Sequence, residues 1–203
     1  MENKGRIGVL VEDHFDATEY RKFNEYFPTQ GYAVDYMSHL WGQPQLNFGS
    51  NAENNVVEEH LAVSIEIDNV NLSDYKGIIL IGAYATDRLR YESNPKKGQP
   101  NQSPAVKFLR KAVATPGLKI GTICHSMWLF CADRELLKGR KVTCAHNIIC
   151  DVENAGGDVV FDGDQTVEMV IDGDLISGKH PGMVDSFMET FVSEIEKTQK
   201  VAV

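Results

Sequence analysis

The sequence predicts an α/β fold, with a mostly parallel central sheet covered by helices on both faces. Two observations carry this. Apolar runs such as Arg6-Ile-Gly-Val-Leu-Val11, Gly77-Ile-Ile-Leu-Ile-Gly82 and Lys119-Ile-Gly-Thr-Ile-Cys124 are continuous rather than alternating, as in strands buried on both sides. Segments of helical period separate them from end to end, and strand–helix alternation on this scale builds a parallel sheet between two helical layers.

The elements follow in order. Arg6–Val11 reads as the first buried strand, and Asp16 to Gln30 as a helix with Phe23, Tyr26 and Phe27 at helical spacing and Gly31 as its stop. Tyr32 to Met37 is a second strand. Residues 40–55, rich in Asn, Gln and Gly, read as an excursion or long loop. Ala62 to Asp68 alternates like a half-exposed strand, and Gly77–Gly82 is central again. Residues 94–104 carry three prolines and form a loop before a helix over 105–114. The strand ending on Cys124 precedes a helix over 125–133, a short strand from Lys141 to Cys144 and a helix over 147–155. Val167 to Ser177 is a hairpin around Asp-Gly-Asp, and Pro181 opens the terminal helix at a position proline favours. The result is a three-layer α/β/α sandwich of flavodoxin-like type, expected to form one domain over 1–203.

Composition narrows the function classes. With 203 residues, 42% hydrophobic and 24% charged, the chain has ordinary globular composition. A net charge of -9 argues against a nucleic-acid binder, which needs a basic surface to release counterions. No apolar run approaches the roughly 18–20 residues of a membrane span. The first residues lack a small-residue cleavage site, so no signal peptide is expected and a cytoplasmic location is. Cys124, Cys131, Cys144 and Cys150 fit reduced thiols better than a disulfide framework. No CxxC pair, P-loop or strand-borne G-x-G-x-x-G is present, so no metal or cofactor is expected.

Cys124, in Gly-Thr-Ile-Cys-His-Ser (121–126), ends a central strand where a helix begins. A strand-to-helix turn lifts a side chain above the sheet edge where α/β folds bind ligands. A helix N-terminus there favours an anion, so the thiol is expected to titrate below the free value of ~8.5 and to alkylate well before the other three. Free cysteines are commonly buried and inert, and that is the expectation for Cys131, Cys144 and Cys150.

Ile-Cys-His-Ser resembles the Ile-Cys-His-Gly elbow of the ThiJ/PfpI family, a branch of the class I glutamine-amidotransferase-like fold. Phe15-Asp-Ala-Thr-Glu-Tyr20, Ile81-Gly-Ala-Tyr-Ala-Thr-Asp-Arg-Leu-Arg90, Leu137-Lys-Gly-Arg-Lys-Val-Thr143, Asn154-Ala-Gly156 and Asp172-Gly-Asp-Leu-Ile-Ser177 match the PfpI branch in the same order. The resemblance spans roughly residues 6–195, apart from 40–55 and 94–104. It implies that Cys124 is the nucleophile and that Glu19 is a buried, protonated acid bonded to the sulfur. It also implies that His125 pairs with an acid from a neighbouring subunit, at whose position Asp87 stands one methylene shorter than the family's Glu. Gly82 and Ala83 occupy a Gly-Gly pair whose backbone N–H groups bind an oxyanion. His14, Trp128 and His180, with His146, are candidates for pocket contacts, each set against a structural role.

A thiolate, an imidazole and an oxyanion site suit addition to a carbonyl. The resemblance implies first a hydrolase of the intracellular protease or amidase type, acting on a small-molecule carbonyl or peptide substrate. The alternatives are a glyoxalase-like or deglycase enzyme for 2-oxoaldehydes or their adducts, and a redox sensor or stress chaperone working through oxidation of Cys124. A homodimer or higher homo-oligomer is expected.

Overall fold

The computed structural model describes residues 3–52 and 57–201. Its strands are β1 (Gly5–Leu10), β2 (Tyr32–Ser38), β3 (Leu46–Gly49), β4 (His60–Val63), β5 (Ile65–Glu66), β6 (Gly77–Leu80), β7 (Lys119–Ile123), β8 (Lys141–Val142), β9 (Asp158–Val159), β10 (Phe161–Asp162), β11 (Gln165–Thr166), β12 (Met169–Asp172) and β13 (Leu175–Gly178). The α-helices are α1 (Ala17–Thr29), α2 (Ala85–Leu89), α3 (Pro104–Val113), α4 (Arg134–Leu137), α5 (Ile149–Asn154) and α6 (Val184–Val201).

Seven strands form the main sheet in the order β12-β13-β7-β6-β1-β2-β5. All neighbours are parallel except β12, which folds back on β13 as an antiparallel edge. From β1 the chain crosses outward to β2 and later, through β6 and α3, to β7 on the other side. Right-handed crossovers in opposite directions place α1 and α3 on opposite faces. The strand order reverses between β1 and β6, so a crevice opens beyond their carboxyl ends.

Close packing fixes where small residues must stand. Phe27 of α1 meets Phe191 of α6 with ring centroids 6.5 Å apart, and Phe187 stacks on Phe191 at 5.8 Å. This aromatic layer presses on the centre of the sheet. A Cβ on Gly121 would lie 2.8 Å from the Phe187 ring and 3.0 Å from that of Phe191. The glycine before the elbow is therefore demanded by helix–sheet contact.

Several expected elements take a different form. The excursion at 40–55 contains β3, which pairs antiparallel with β4, so Ala62–Asp68 is not one strand. The chain breaks at Ser64, and β5 alone continues as the edge beside β2. Residues 53–56 of the excursion lie outside the described residues. The segment after Cys124 is a 3₁₀ helix, Cys124–Ala132, rather than an α-helix. Pro181 opens a 3₁₀ turn, Pro181–Met183, that leads into α6. No described helix is long and apolar enough to cross a membrane.

Replacing Gly121 with Ala is expected to lower unfolding free energy by ~1–3 kcal/mol, the usual cost of overpacking, without a new secondary structure. Urea denaturation followed by circular dichroism measures this; an unchanged midpoint would contradict the packing described.

Candidate active site

Four loops meet at the carboxyl end of the sheet. Asp16 caps α1, its carboxylate accepting from the Glu19 N–H at 2.8 Å. The Asp-x-x-Glu spacing is a helix-start signature. The cap sets the first turn of α1 so that Glu19 points into the protein beneath the ends of β1 and β6. Asn51, from the excursion, is tied down by its N–H to the Phe15 carbonyl at 2.7 Å. The His14 N–H reaches the Gly49 carbonyl at 2.8 Å, and the His14 carbonyl accepts from Tyr84 N–H at 3.0 Å.

Cys124 sits at φ +57°, a left-handed conformation that side chains rarely adopt. The turn is stitched by Ser126, whose hydroxyl accepts from the Ile123 N–H at 2.7 Å and donates to its carbonyl at 2.9 Å. From the other side the Ala145 N–H reaches the Cys124 carbonyl at 3.2 Å. Strain at this residue places Sγ above the sheet edge, in the manner of a nucleophile elbow.

Glu19 is the most deeply placed acid of the site, with 0% exposure. One oxygen, Oε2, accepts from the Gly82 N–H at 2.7 Å, and the other, Oε1, has no hydrogen-bond partner among the described residues, so the bond to sulfur that the resemblance implies is not made in this geometry. Burial, reinforced by the nearby Asp16 carboxylate, holds its pKa well above the ordinary carboxyl value, while the Gly82 bond opposes this. A Cβ on Gly82 would collide with Oε1, which is why glycine stands there.

Cys124 is 7% exposed, and burial is the main cause that pushes its thiol up to about 12, with the neighbouring Glu19 carboxyl opposing a charge on the sulfur. This corrects the expectation of a thiol titrating below ~8.5. The His125 backbone N–H does favour the anion, but desolvation of the sulfur is the larger effect. Its Sγ lies 3.2 Å from His125 Nδ1. Cys131 and Cys144 are also raised to about 12 by burial, whereas Cys150 is exposed and so is not the buried thiol expected. Exposed Cys150, not Cys124, should therefore meet an alkylating reagent first.

The opening beside Cys124 is a cavity of about 170 Å³ lined by Asp16, Asn51, Ala83, Tyr84, His125, Ala145, His146, Asn147, His180 and Pro181 as well as the cysteine. Among the sequence candidates, Cys124, His125, Ala83, His146 and His180 thus meet here, with Glu19 and Gly82 beneath. His180 also accepts the Gly182 N–H on Nδ1 at 3.0 Å, capping the turn before α6. His14 and Trp128 do not line the cavity. His14 is exposed at φ +66° and contributes through its backbone, and Trp128 packs with the Arg90 guanidinium 4.8 Å over its ring.

The Gly82 N–H is occupied by Glu19, so in this geometry it does not face an oxyanion. Ala83 follows at φ +57° on the cavity wall. Asp87 lies elsewhere. The short helix α2 buries Ala85, Thr86 and Leu89, which turns Asp87 to the surface. There it borders a separate depression of about 430 Å³ with Glu12, Trp41, Arg88 and Tyr91. Within one chain it does not reach His125.

What does reach His125 was not foreseen. Asn147 Nδ2 lies 2.9 Å from His125 Nε2, and the Tyr84 ring lies 5.5 Å from the imidazole, tilted by 36°. Asp16 had a sequence signal in its cap spacing. Asn147 had none, because it comes from a different loop. His39, Glu66 and Asp68 form the metal-capable cluster among the described residues. Glu66 there accepts from the Leu40 and Asp68 N–H groups as well as facing His39, which explains the cluster as a turn-stabilising one.

A raised Glu19 pKa has a stability consequence. The folded state holds a proton that the unfolded chain loses above about 4.3, so stability must fall as pH rises from there toward the folded pKa. Glu19→Gln, which keeps an acceptor for Gly82 without the titration, is expected to be more stable than the wild type at pH 8 and to lose that advantage near pH 4. Chemical denaturation across pH measures it; parallel curves would contradict a buried neutral carboxyl.

The chain resembles known proteins in sequence and in fold. General stress protein 18 of Bacillus subtilis is 27% identical over 192 residues, covering 95% of this chain and 98% of that protein. Deglycase PfpI of Pyrococcus furiosus is 32% identical over 130 residues, covering 64% of this chain and 68% of the relative. The crystal structure of Drosophila melanogaster DJ-1beta superposes with a TM-score of 0.73 at 17% identity, over 100% of this chain and 96% of the other, and so shares the fold. The DJ-1/PfpI family matches residues 5–194, and the chain belongs to that family.

Proposed function

We propose that this chain is a cysteine-dependent enzyme that adds Cys124 to a small 2-oxoaldehyde and releases a 2-hydroxy acid. The observation that carries this is the size and position of the opening. A cavity of about 170 Å³ holding both Sγ and the imidazole accommodates a few-carbon carbonyl compound. It is below the ~300–1,000 Å³ of ordinary ligand pockets, and an extended peptide would need more room. Similarity to a deglycase of the same family supports carbonyl chemistry as well. Protease-type hydrolysis, the first expectation, fits this opening less well.

The chemistry follows from a thiol held neutral by burial. The nucleophile is made as it reacts: His125 Nδ1 takes the S–H proton, sulfur bonds to the aldehyde carbon, and the carbonyl oxygen receives a proton to give a hemithioacetal. Ala83, on the cavity wall, is the residue whose N–H would support the negative charge that develops on that oxygen. Transfer of the hydrogen on the former aldehyde carbon to the adjacent carbonyl carbon yields a 2-hydroxy thioester. Water then cleaves the thioester and restores the thiol, so the net change is addition of one water with no external oxidant. A protonated Glu19 keeps a second negative charge away from the sulfur throughout.

Incubation with methylglyoxal is expected to produce lactate with wild-type protein and none with Cys124→Ser. Cysteine-dependent cleavage of a fluorogenic peptide amide, without lactate, would overturn the proposal in favour of a hydrolase. Neither activity, with a sulfinate on Cys124 after mild peroxide, would overturn it in favour of a redox sensor, to which the similarity with a stress protein points.

A further inference from the structure

Any base that takes the Cys124 proton must itself be held, because an imidazole next to the nucleophile in sequence has few covalent constraints on its ring. Here both ring nitrogens are engaged. Nδ1 lies 3.2 Å from Sγ, and Nε2, across the ring, lies 2.9 Å from the Asn147 side chain. The Tyr84 ring limits rotation from a third direction. Asn147 stands on the 3₁₀ turn His146–Ile148 that precedes α5, and the Ile148 N–H is anchored to the Ala145 carbonyl at 3.1 Å. Ala145 in turn donates to the Cys124 carbonyl. The loop bearing Asn147 is thus bonded to the elbow it serves. Asp87, at the position where an acid from a neighbouring subunit is implied, faces another part of the surface.

We propose that Asn147 is the positioning residue of an in-chain relay, Cys124–His125–Asn147, doing for the imidazole what an acid from a second subunit would otherwise do. Resting on the nucleophilic role given to Cys124 above, it makes the site complete within one protomer. An amide suits the task because it offers a donor and an acceptor at nearly the same place. Its nitrogen toward Nε2 holds the ring proton on Nδ1. A half turn presents Oδ1, which accepts from Nε2–H and leaves Nδ1 able to take the thiol proton. In the thiolate–imidazolium pair both ring nitrogens carry protons, so Oδ1 then supports the charged ring. Asn147 is exposed, so changing it leaves the core untouched.

Two readouts on the full-length protein test this, for the wild type, Asn147→Ala and Asn147→Asp. The first is the rate of Cys124 alkylation by iodoacetamide against pH, localised by mass spectrometry, with exposed Cys150 reporting the reagent. Asp16, Tyr84, His146 and His180 line the same cavity and are common to all three proteins, so differences belong to position 147. Asn147→Ala should move the Cys124 profile upward by about one pH unit, the loss of a hydrogen bond to a charged group, and Asn147→Asp should move it back or below the wild type. The second is lactate formation from methylglyoxal, where Asn147→Ala should lower kcat about ten- to a hundred-fold with little change in KM, and Asn147→Asp should recover much of it. Superimposable alkylation profiles for the three proteins would overturn the relay even if lactate forms. Shifted profiles without lactate in any of them would uphold the relay and reject the substrate class instead.

Discussion

The hydrogen bond from the Gly82 N–H to the fully buried Glu19 carboxyl is the constraint on which the rest of the site depends. It ties the first turn of α1 to the end of β6, across the point where the strand order reverses. It demands glycine at 82, since a Cβ would occupy the space of Oε1, and it throws the next residue, Ala83, into a left-handed conformation on the cavity wall. It also fixes the electrostatics. Burial this deep favours the protonated carboxyl, because ionisation would strand a charge in a low-dielectric site. A carboxyl in that form spares the sulfur above it a second anion.

That arrangement changes what sort of nucleophile Cys124 would be in the proposed reaction. A helix start and an elbow suggest a standing thiolate, but the helix here is 3₁₀ and the sulfur is nearly enclosed. Desolvation outweighs the one backbone N–H that favours the anion. In the proposed reaction, reactivity then rests on the partner that accepts the proton, which gives the orientation of His125 its importance. The strained φ of Cys124 and the Ser126 stitching hold the sulfur still, and the Asn147 and Tyr84 contacts do the same for the imidazole.

Much of this was legible in the residues. The continuous apolar runs placed the central strands, and the elbow placed Cys124 at their carboxyl edge. The similarity of Phe15–Tyr20 and Ile81–Arg90 to the family's segments brought Glu19 and Gly82 into view. The parts that were not legible depend on how far a group is buried or on loops that meet only in three dimensions. Nothing in Ile-Cys-His-Ser states that its thiol is 7% exposed. Asp87 matches the family's acid in position, yet a helix of five residues that buries Ala85, Thr86 and Leu89 has no choice but to turn it outward. Asn51 and Asn147 reach the cavity from an excursion and a 3₁₀ turn whose composition marks them only as loops. Cys150 resembled its buried fellows in sequence, and only its place on the outer side of α5 exposes it.

The central claim, a neutral carboxyl lodged beneath the reactive sulfur, is open to direct observation by infrared difference spectroscopy at neutral pH. A carbonyl stretch of a protonated carboxylic acid, present in the wild type and missing from Glu19→Gln, is the result predicted. A wild-type spectrum with no such band, or one that the substitution leaves in place, would contradict it.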